Sequence, residues 1–189
     1  MPKHQLISPK PEDIEDLSTL AVKMGVVLDK NAPLRIKRGE NGAHAGSKSI
    51  YISESLYKTI DLMTLHGIFA HELAHIKKNH NRNRRIFMAS SFILFFILSF
   101  ATPIYKGSEL PLFWKLTLTI GFFMLLVLNF AYMRRQEIEA DDIACEYVGA
   151  SEIVYAYNRL SKLINQPDHI LDHPRWKTRI ARQQSKIVN

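Results

Sequence analysis

The chain has 189 residues, enough for one compact domain with a hydrophobic core but not for several. Charged residues make up 23% of the sequence and the formal net charge is +7. No basic stripe with interleaved aromatic residues is present, so nucleic-acid binding is not expected. The single cysteine, Cys145, excludes an internal disulfide and a cysteine-based zinc site.

The first third of the chain predicts a helix, a small sheet and a second helix. Apolar residues recur at helical intervals between residues 11 and 28. Segments 34–38, 41–46 and 50–53 read as short strands separated by glycine-containing turns, which predicts a small antiparallel sheet. A longer helix follows from about residue 61 through residue 75. The fold class predicted is therefore α+β and mainly helical.

The motif H-E-L-A-H lies on this second helix. His71 and His75 are four residues apart, so both imidazoles lie on one helix face and can bind a single metal ion. Glu72 lies about 100° further round the helix, where a carboxylate can accept a proton from water bound to the metal. The spacing predicts a zinc-dependent hydrolase.

Two apolar runs follow the motif. Residues 86–102 contain no charge, and residues 112–133 contain only Lys115. At about 1.5 Å per residue the two runs cover about 26 and 33 Å, against a membrane core of about 30 Å. Proline and glycine in residues 103–111 predict a tight turn between them. The runs therefore predict a transmembrane hairpin, residues 86–133, inserted between two halves of one soluble domain, residues 1–85 and 134–189.

The charges beside the apolar runs predict the orientation of the hairpin in the membrane. Basic residues gather at its two outer ends, whereas the connecting turn has only Lys106. We therefore expect an integral protein of the cell membrane, with both termini and the histidine motif on the cytoplasmic side. Its net positive charge then faces anionic headgroups. The basic residues are Lys77, Lys78, Arg82, Arg84, Arg85, Arg134 and Arg135.

A catalytic zinc site needs a third protein ligand, which the sequence offers after the second apolar run. Glu137 and Asp141 are four residues apart and share a helix face. Glu137 can then bind the zinc while Asp141 accepts a hydrogen bond from the outer ring nitrogen of a ligand histidine. Glu139 is the competitor for the ligand position, but it lacks a partner four residues on. His80, five residues after His75, is expected at the membrane interface, away from the ligand face.

Three motifs, in order, resemble the HtpX-type and CAAX-prenyl-protease membrane metallopeptidases, which are gluzincins. They are H-E-L-A-H at 71–75, E-I-E-A-D at 137–141 and D-H-P-R-W-K-T-R-I at 172–180, and the resemblance extends from about Ala32 to Ala181. It implies a gluzincin-like domain with Zn²⁺ as cofactor, Glu137 as third ligand and Glu72 as general base.

The same resemblance implies a strand at the sheet edge that binds the substrate, onto which Asn41, Ala43 and Ala45 map. His173 precedes a proline and either stabilises the start of the last helix or approaches the developing oxyanion, which would make it catalytic. Arg179, on that helix, is expected in an ion pair, either structural or next to the metal ligands.

The distances along the two apolar helices predict a bend. His75 is 11 residues from Ile86, about 16 Å along a straight helix, whereas Glu137 is four residues from Met133, about 6 Å. Straight antiparallel helices would leave the ligands at different levels. We therefore expect a bend at residues 79–83, which are poor helix formers, together with a second span that ends before Met133.

The predicted function is a membrane-bound, zinc-dependent endopeptidase of membrane-associated or misfolded proteins at the cytoplasmic surface. Its partners are then a protein or peptide substrate and the lipid bilayer. The alternative in another class is a catalytically inactive membrane adaptor with the same fold. A further alternative, a soluble regulator, requires that the two apolar runs form a buried helical pair. The sequence does not indicate an oligomeric state.

Overall fold

The computed structural model describes residues 8–39, 42–101, 112–164 and 174–187. Helices dominate these residues, and three short strands form one sheet, as the predicted fold class requires. The elements in chain order are α1 (Pro11–Met24), β1 (Leu34–Lys37), β2 (Ala43–Ala45), β3 (Ile50–Ser53), α2 (Glu54–Thr59), α3 (Leu62–Lys77), α4 (His80–Ala101), α5 (Leu112–Val148), α6 (Ala150–Leu163) and α7 (Trp176–Gln184).

The sheet has the strand order β1-β3-β2 and is mixed. Strands β2 and β3 pair antiparallel, but β1 pairs with β3 in parallel, with Leu34 opposite Ile50. The prediction of an antiparallel sheet is therefore wrong for β1. Alternating apolar residues identify the buried face of a strand, here Ile36 and Ile52, but the alternation is the same in parallel and antiparallel pairs.

Helix α3 is the buried centre of the domain. Asp61 caps its first turn by accepting a hydrogen bond from the Thr64 backbone amide at 2.8 Å. Leu65, Phe69 and Leu73 are buried in the core. At Gly67 an added Cβ would lie 2.7 Å from the Ala156 Cβ, so the absence of a side chain lets α6 approach α3 closely. The helix that carries the histidine motif thus packs closely against its neighbours.

The helical conformation is interrupted between α3 and α4. Helix α3 ends at Lys77, Asn79 has φ +54° in the left-handed region, and α4 begins at His80. Asparagine adopts this conformation more readily than most residues with a side chain. The predicted bend near residues 79–83 is confirmed.

Helices α4 and α5 pack side by side and antiparallel. The ring centroids of Phe87 and Tyr132 are 4.8 Å apart, and those of Phe95 and Phe122 are 5.2 Å apart. Residue numbers increase along α4 while those of their partners decrease along α5, so the two helices run in opposite directions. Their outward apolar side chains are more than half exposed. This exposure argues against the alternative of a soluble regulator, which requires that the two helices are buried. Four examples are Ile93, Phe96, Ile120 and Val127.

Among the described residues one helix, α5, is long and apolar enough to cross a membrane. The predicted transmembrane hairpin with two spans is therefore not confirmed, and its turn, residues 103–111, lies outside the described residues. Helix α5 also continues without a break across the predicted domain boundary at residue 133. The helix has 37 residues and is about 55 Å long, which is more than a membrane span needs. Its C-terminal part lies in the domain and carries Glu137 and Asp141.

Candidate active site

Two imidazoles and one carboxylate converge where α3 and α5 lie side by side. The Nε2 atoms of His71 and His75 are 3.0 Å apart. One Glu137 oxygen lies 3.4 Å from His71 Nε2 and the other lies 3.4 Å from His75 Nε2. The three side chains form the one group of metal-binding type found among the described residues. The sequence positions named as ligands are thus brought together.

The separations of these atoms fit a zinc ion. Ligand atoms about 2.0–2.1 Å from a tetrahedral zinc are about 3.3 Å from one another, and each histidine Nε2 lies at about this distance from the other Nε2 and from one Glu137 oxygen. Electrostatics favours a cation at the same place. Although burial opposes a charged imidazole, hydrogen bonds with Asp141 and Glu137 raise the pKa of His71 to about 10. Burial and the charge of His71 lower the pKa of His75 to about 3. The carboxylates therefore attract one positive charge to the shared position.

The outer face of His71 is held by a buried ionic network. Asp141 Oδ1 lies 2.9 Å from His71 Nδ1, and Asp141 is fully buried. Arg179 binds Asp141 with two nitrogens, Nε at 2.8 Å and Nη2 at 2.6 Å. Tyr157 donates its hydroxyl to Asp141 and accepts from Arg179 Nη2 at 2.7 Å. Although burial opposes it, Arg179 and His71 hold the pKa of Asp141 well below its usual value.

His80 lies against the other ligand histidine, which corrects its expected place at the membrane interface. It is 3% exposed, and its Nδ1 lies 2.9 Å from His75 Nδ1. The left-handed conformation of Asn79 explains the difference, because the expectation assumed a helix that continues without a break. Glu139 points away from the ligands and lies 2.9 Å from Lys78 Nζ and 3.5 Å from His80 Nε2.

Glu72 is buried at the edge of the same group. Burial raises the pKa of its carboxyl to about 7, and the negative charge of Glu137 acts in the same direction. The charge of His71 and, to a smaller extent, a hydrogen bond from the Ala45 backbone lower this pKa. The carboxyl can therefore exchange a proton near neutral pH, as a general base must.

A cleft of about 350 Å³ opens over these residues. Strand β2, with Ala43 and Ala45, forms one wall at the edge of the sheet. The Ala45 carbonyl accepts a hydrogen bond from Asn81 Nδ2 at 2.7 Å. Asn41 and His173 lie outside the described residues. Aliphatic and aromatic side chains also line the cleft: Leu56, Ile68, Tyr157, Leu160, Ile164 and Trp176.

For two residues next to the ligands, Tyr157 and His80, the sequence favours another place: Tyr157 is a candidate to assist the oxyanion, but a core position is favoured, and His80 is expected at the membrane interface. Tyr157 has the spacing of an ordinary core residue on α6, and its position in the chain, 86 residues after His71, gives no signal of the contact. For His80 the signal was partial, since Asn79 and the surrounding asparagines indicated the bend but not which side chain the bend returns to His75.

Known proteins match both the sequence and the fold. The family described as Peptidase family M48 matches residues 15–187. Among solved structures, the crystal structure of S. mikatae Ste24p is similar with a TM-score of 0.70 and 18% identity, over 94% of this chain and 50% of Ste24p. The chain thus spans about half the length of Ste24p, and at this identity the likeness concerns the fold.

Proposed function

Because the chain belongs to peptidase family M48, we propose that it is a membrane-bound, zinc-dependent endopeptidase that cleaves membrane-associated or misfolded proteins at the cytoplasmic surface. Members of this family are zinc metallopeptidases, so the resemblance drawn from the three motifs is confirmed at family level. The observation that carries the proposal is the convergence of His71, His75 and Glu137, with Glu72 in the same cleft.

The chemistry follows from these four side chains. His71, His75 and Glu137 would hold the zinc ion, which supplies Lewis acidity for the scissile carbonyl and the attacking water. Glu72 takes a proton from the water as its oxygen bonds to the carbonyl carbon, and returns that proton to the leaving amine as the C–N bond breaks. Its pKa near 7 suits both transfers.

Arg179 is proposed to keep Asp141 ionised and in contact with His71. Its guanidinium is buried, binds Asp141 twice, and approaches Glu137 at 3.7 Å. Asp141 in turn accepts from His71 Nδ1, which leaves Nε2 directed at the metal position. A role of His173 at the oxyanion stays a prediction.

The length of α5 supports a site near the membrane surface. Glu137 lies 25 residues after Leu112, about 38 Å along the helix, whereas the membrane core is about 30 Å thick. Glu137 therefore lies just beyond the span, beside Arg134 and Arg135. The basic flanks favour the cytoplasmic side and a second span in α4. Substrates are then segments held at the bilayer surface.

The cleft favours an extended substrate with an apolar side chain. Strand β2 is an edge strand, and a peptide can pair with it through backbone hydrogen bonds. Asn81 already bonds to the Ala45 carbonyl, so a substrate that pairs there must displace this amide. The apolar part of the cleft lining, which includes Leu160 and Trp176, is suited to an apolar side chain.

The inactive adaptor is not favoured, because the family and the complete set of four side chains both belong to a working peptidase. The substitution Glu72→Gln separates the two functions. It removes the general base and preserves the shape of the side chain, so we expect hydrolysis of casein and of a membrane-protein substrate to be lost. Zinc content and membrane insertion should stay unchanged.

The control is Glu146→Gln, the same chemical change on the exposed surface of α5. It should cleave at the rate of the unsubstituted protein. Equal cleavage by the Glu72 and Glu146 variants would contradict the peptidase proposal, and loss of zinc in the Glu72 variant would contradict the role given to this residue.

A further inference from the structure

His80 is a buried histidine in direct contact with a ligand histidine. Its Nδ1 lies 2.9 Å from His75 Nδ1, and the two rings meet edge to face at 4.9 Å between centroids. His75 Nε2 is the nitrogen that faces His71 and Glu137. His80 therefore contacts the ring nitrogen of His75 on the side away from the metal position.

The break after α3 creates this contact. On a continuous helix a residue five positions after His75 would lie about 140° round the axis, and the two rings could not meet. The left-handed conformation of Asn79 redirects the chain so that His80 begins α4 beside His75. Gln136 of α5 holds the new position by donating from Nε2 to the His80 carbonyl at 3.4 Å.

The neighbours of His80 favour hydrogen on one of its two nitrogens through their charge, since no described residue forms a hydrogen bond with Nε2. Its Nε2 is buried and lies 3.5 Å from a Glu139 oxygen, and the Lys78 ammonium lies 2.9 Å from the other oxygen. A carboxylate at this position favours hydrogen on Nε2, which leaves Nδ1 as an acceptor. His75 then donates from its own Nδ1, and its Nε2 lone pair is free for a metal.

We propose that His80 is a positioning residue for the metal site, which accepts a hydrogen bond from His75 Nδ1 and so fixes the tautomer and ring orientation that His75 needs to bind zinc. The inference rests on the proposed function for the identity of the metal. It extends that function because it gives His80 and Glu139 a role: Glu139 lies next to His80, and His80 contacts the ligand His75.

Two polar substitutions test the position of the acceptor. In His80→Asn the side-chain oxygen can occupy the place of Nδ1 and accept from His75. In His80→Gln the amide lies about one bond further out, near the place of Nε2, and His75 Nδ1 loses its acceptor. For each variant the zinc dissociation constant is measured by competition with a chromogenic chelator, on the whole chain purified in detergent.

We expect zinc affinity close to that of the unsubstituted protein for His80→Asn and about 10–100-fold weaker for His80→Gln. The visible spectrum of the cobalt-substituted protein should be unchanged in the first variant and shifted in the second, because it reports the geometry around the ion. Circular dichroism and thermal unfolding identify a variant that fails to fold.

Equal zinc affinity and cobalt spectra in the two variants would overturn the inference, as would weakened binding in a folded His80→Asn protein. Failure of the peptidase proposal is distinguishable, because zinc affinity is measured without a substrate. Protein that binds zinc through His80-dependent positioning but cleaves nothing would contradict the proposed function alone.

Discussion

The two ligand histidines lie one helical turn apart, yet their outer nitrogens meet different surroundings. His71 Nδ1 faces Asp141, a fully buried carboxylate bound by Arg179 from α7 and Tyr157 from α6. His75 Nδ1 faces another imidazole, His80, whose own neighbour is a carboxylate exposed to solvent.

His71 is held by residues that are distant in the chain, whereas His75 is held by a residue only five positions away. The network behind His71 joins α3, α5, α6 and α7, so this ligand is in place only when the whole domain is folded. The contact behind His75 forms at the junction of α3 and α4, where the chain turns toward the apolar helices. We infer that the first support also stabilises the fold, whereas the second mainly orients the ligand.

The largest effect is expected for Asp141→Asn. The change leaves the buried Arg179 without its nearest charged partner, with Glu137 still at 3.7 Å, and removal of one member of a buried ion pair lowers the free energy of unfolding by about 3–5 kcal/mol. Zinc affinity should also fall about 10–100-fold, since His71 loses its carboxylate. Denaturant unfolding and chelator competition in detergent measure the two effects.

The corresponding substitution in the contacts behind His75 is Glu139→Gln. The carboxylate is 42% exposed and pairs with Lys78 at the surface, so the free energy of unfolding should change by less than about 1 kcal/mol. Equal destabilisation by the Asp141 and Glu139 variants would show that the two supports do not differ as described.

Tyr157→Phe should have an intermediate effect. It removes a buried hydroxyl that donates to Asp141 and accepts from Arg179, and the loss of hydrogen bonds to charged groups lowers the free energy of unfolding by about 1.5–3 kcal/mol. Zinc should remain bound, because the contact between Asp141 and His71 is kept. Loss of zinc from this variant at unchanged stability would mean that Tyr157 acts on His71 directly.

A small effect, comparable with that of Glu139→Gln, is expected at Asn79 between α3 and α4. Asn79→Ala places a less tolerant residue in the left-handed region and should lower the free energy of unfolding by about 1 kcal/mol, whereas Asn79→Gly should change it little. Thermal unfolding of the two variants measures the difference. Equal stability of the alanine and glycine variants would indicate that the break does not depend on this conformation.

The features that the sequence predicts here are those that depend on local spacing. The interval of four residues places His71 and His75 on one face, and the same interval links Glu137 to Asp141. The poor helix formers around Asn79 predicted the bend. In each case the pattern lies within a few residues and a helix converts it directly into geometry.

The meeting of Glu137 and Asp141 with the histidine motif was predicted, because a zinc site needs a third ligand and the family resemblance implied one. Other features that depend on packing between distant elements were not predicted. The parallel pairing of β1 with β3 leaves no trace in alternating apolar residues. Tyr157 reaches the site because Gly67 lets α6 lie close to α3, and only the packed structure reveals this. His80 was misplaced because a bend predicts a change of direction but not which side chain the change brings back.

The most direct test of the central claim is the zinc content of two purified variants, Glu137→Ala and Glu139→Ala. If His71, His75 and Glu137 hold one ion, the first variant should lose it. The second should keep about one zinc per chain when zinc is in excess of its dissociation constant, because Glu139 contacts His80 and is not a ligand. Zinc retained without the Glu137 carboxylate but lost without the Glu139 carboxylate would contradict the account.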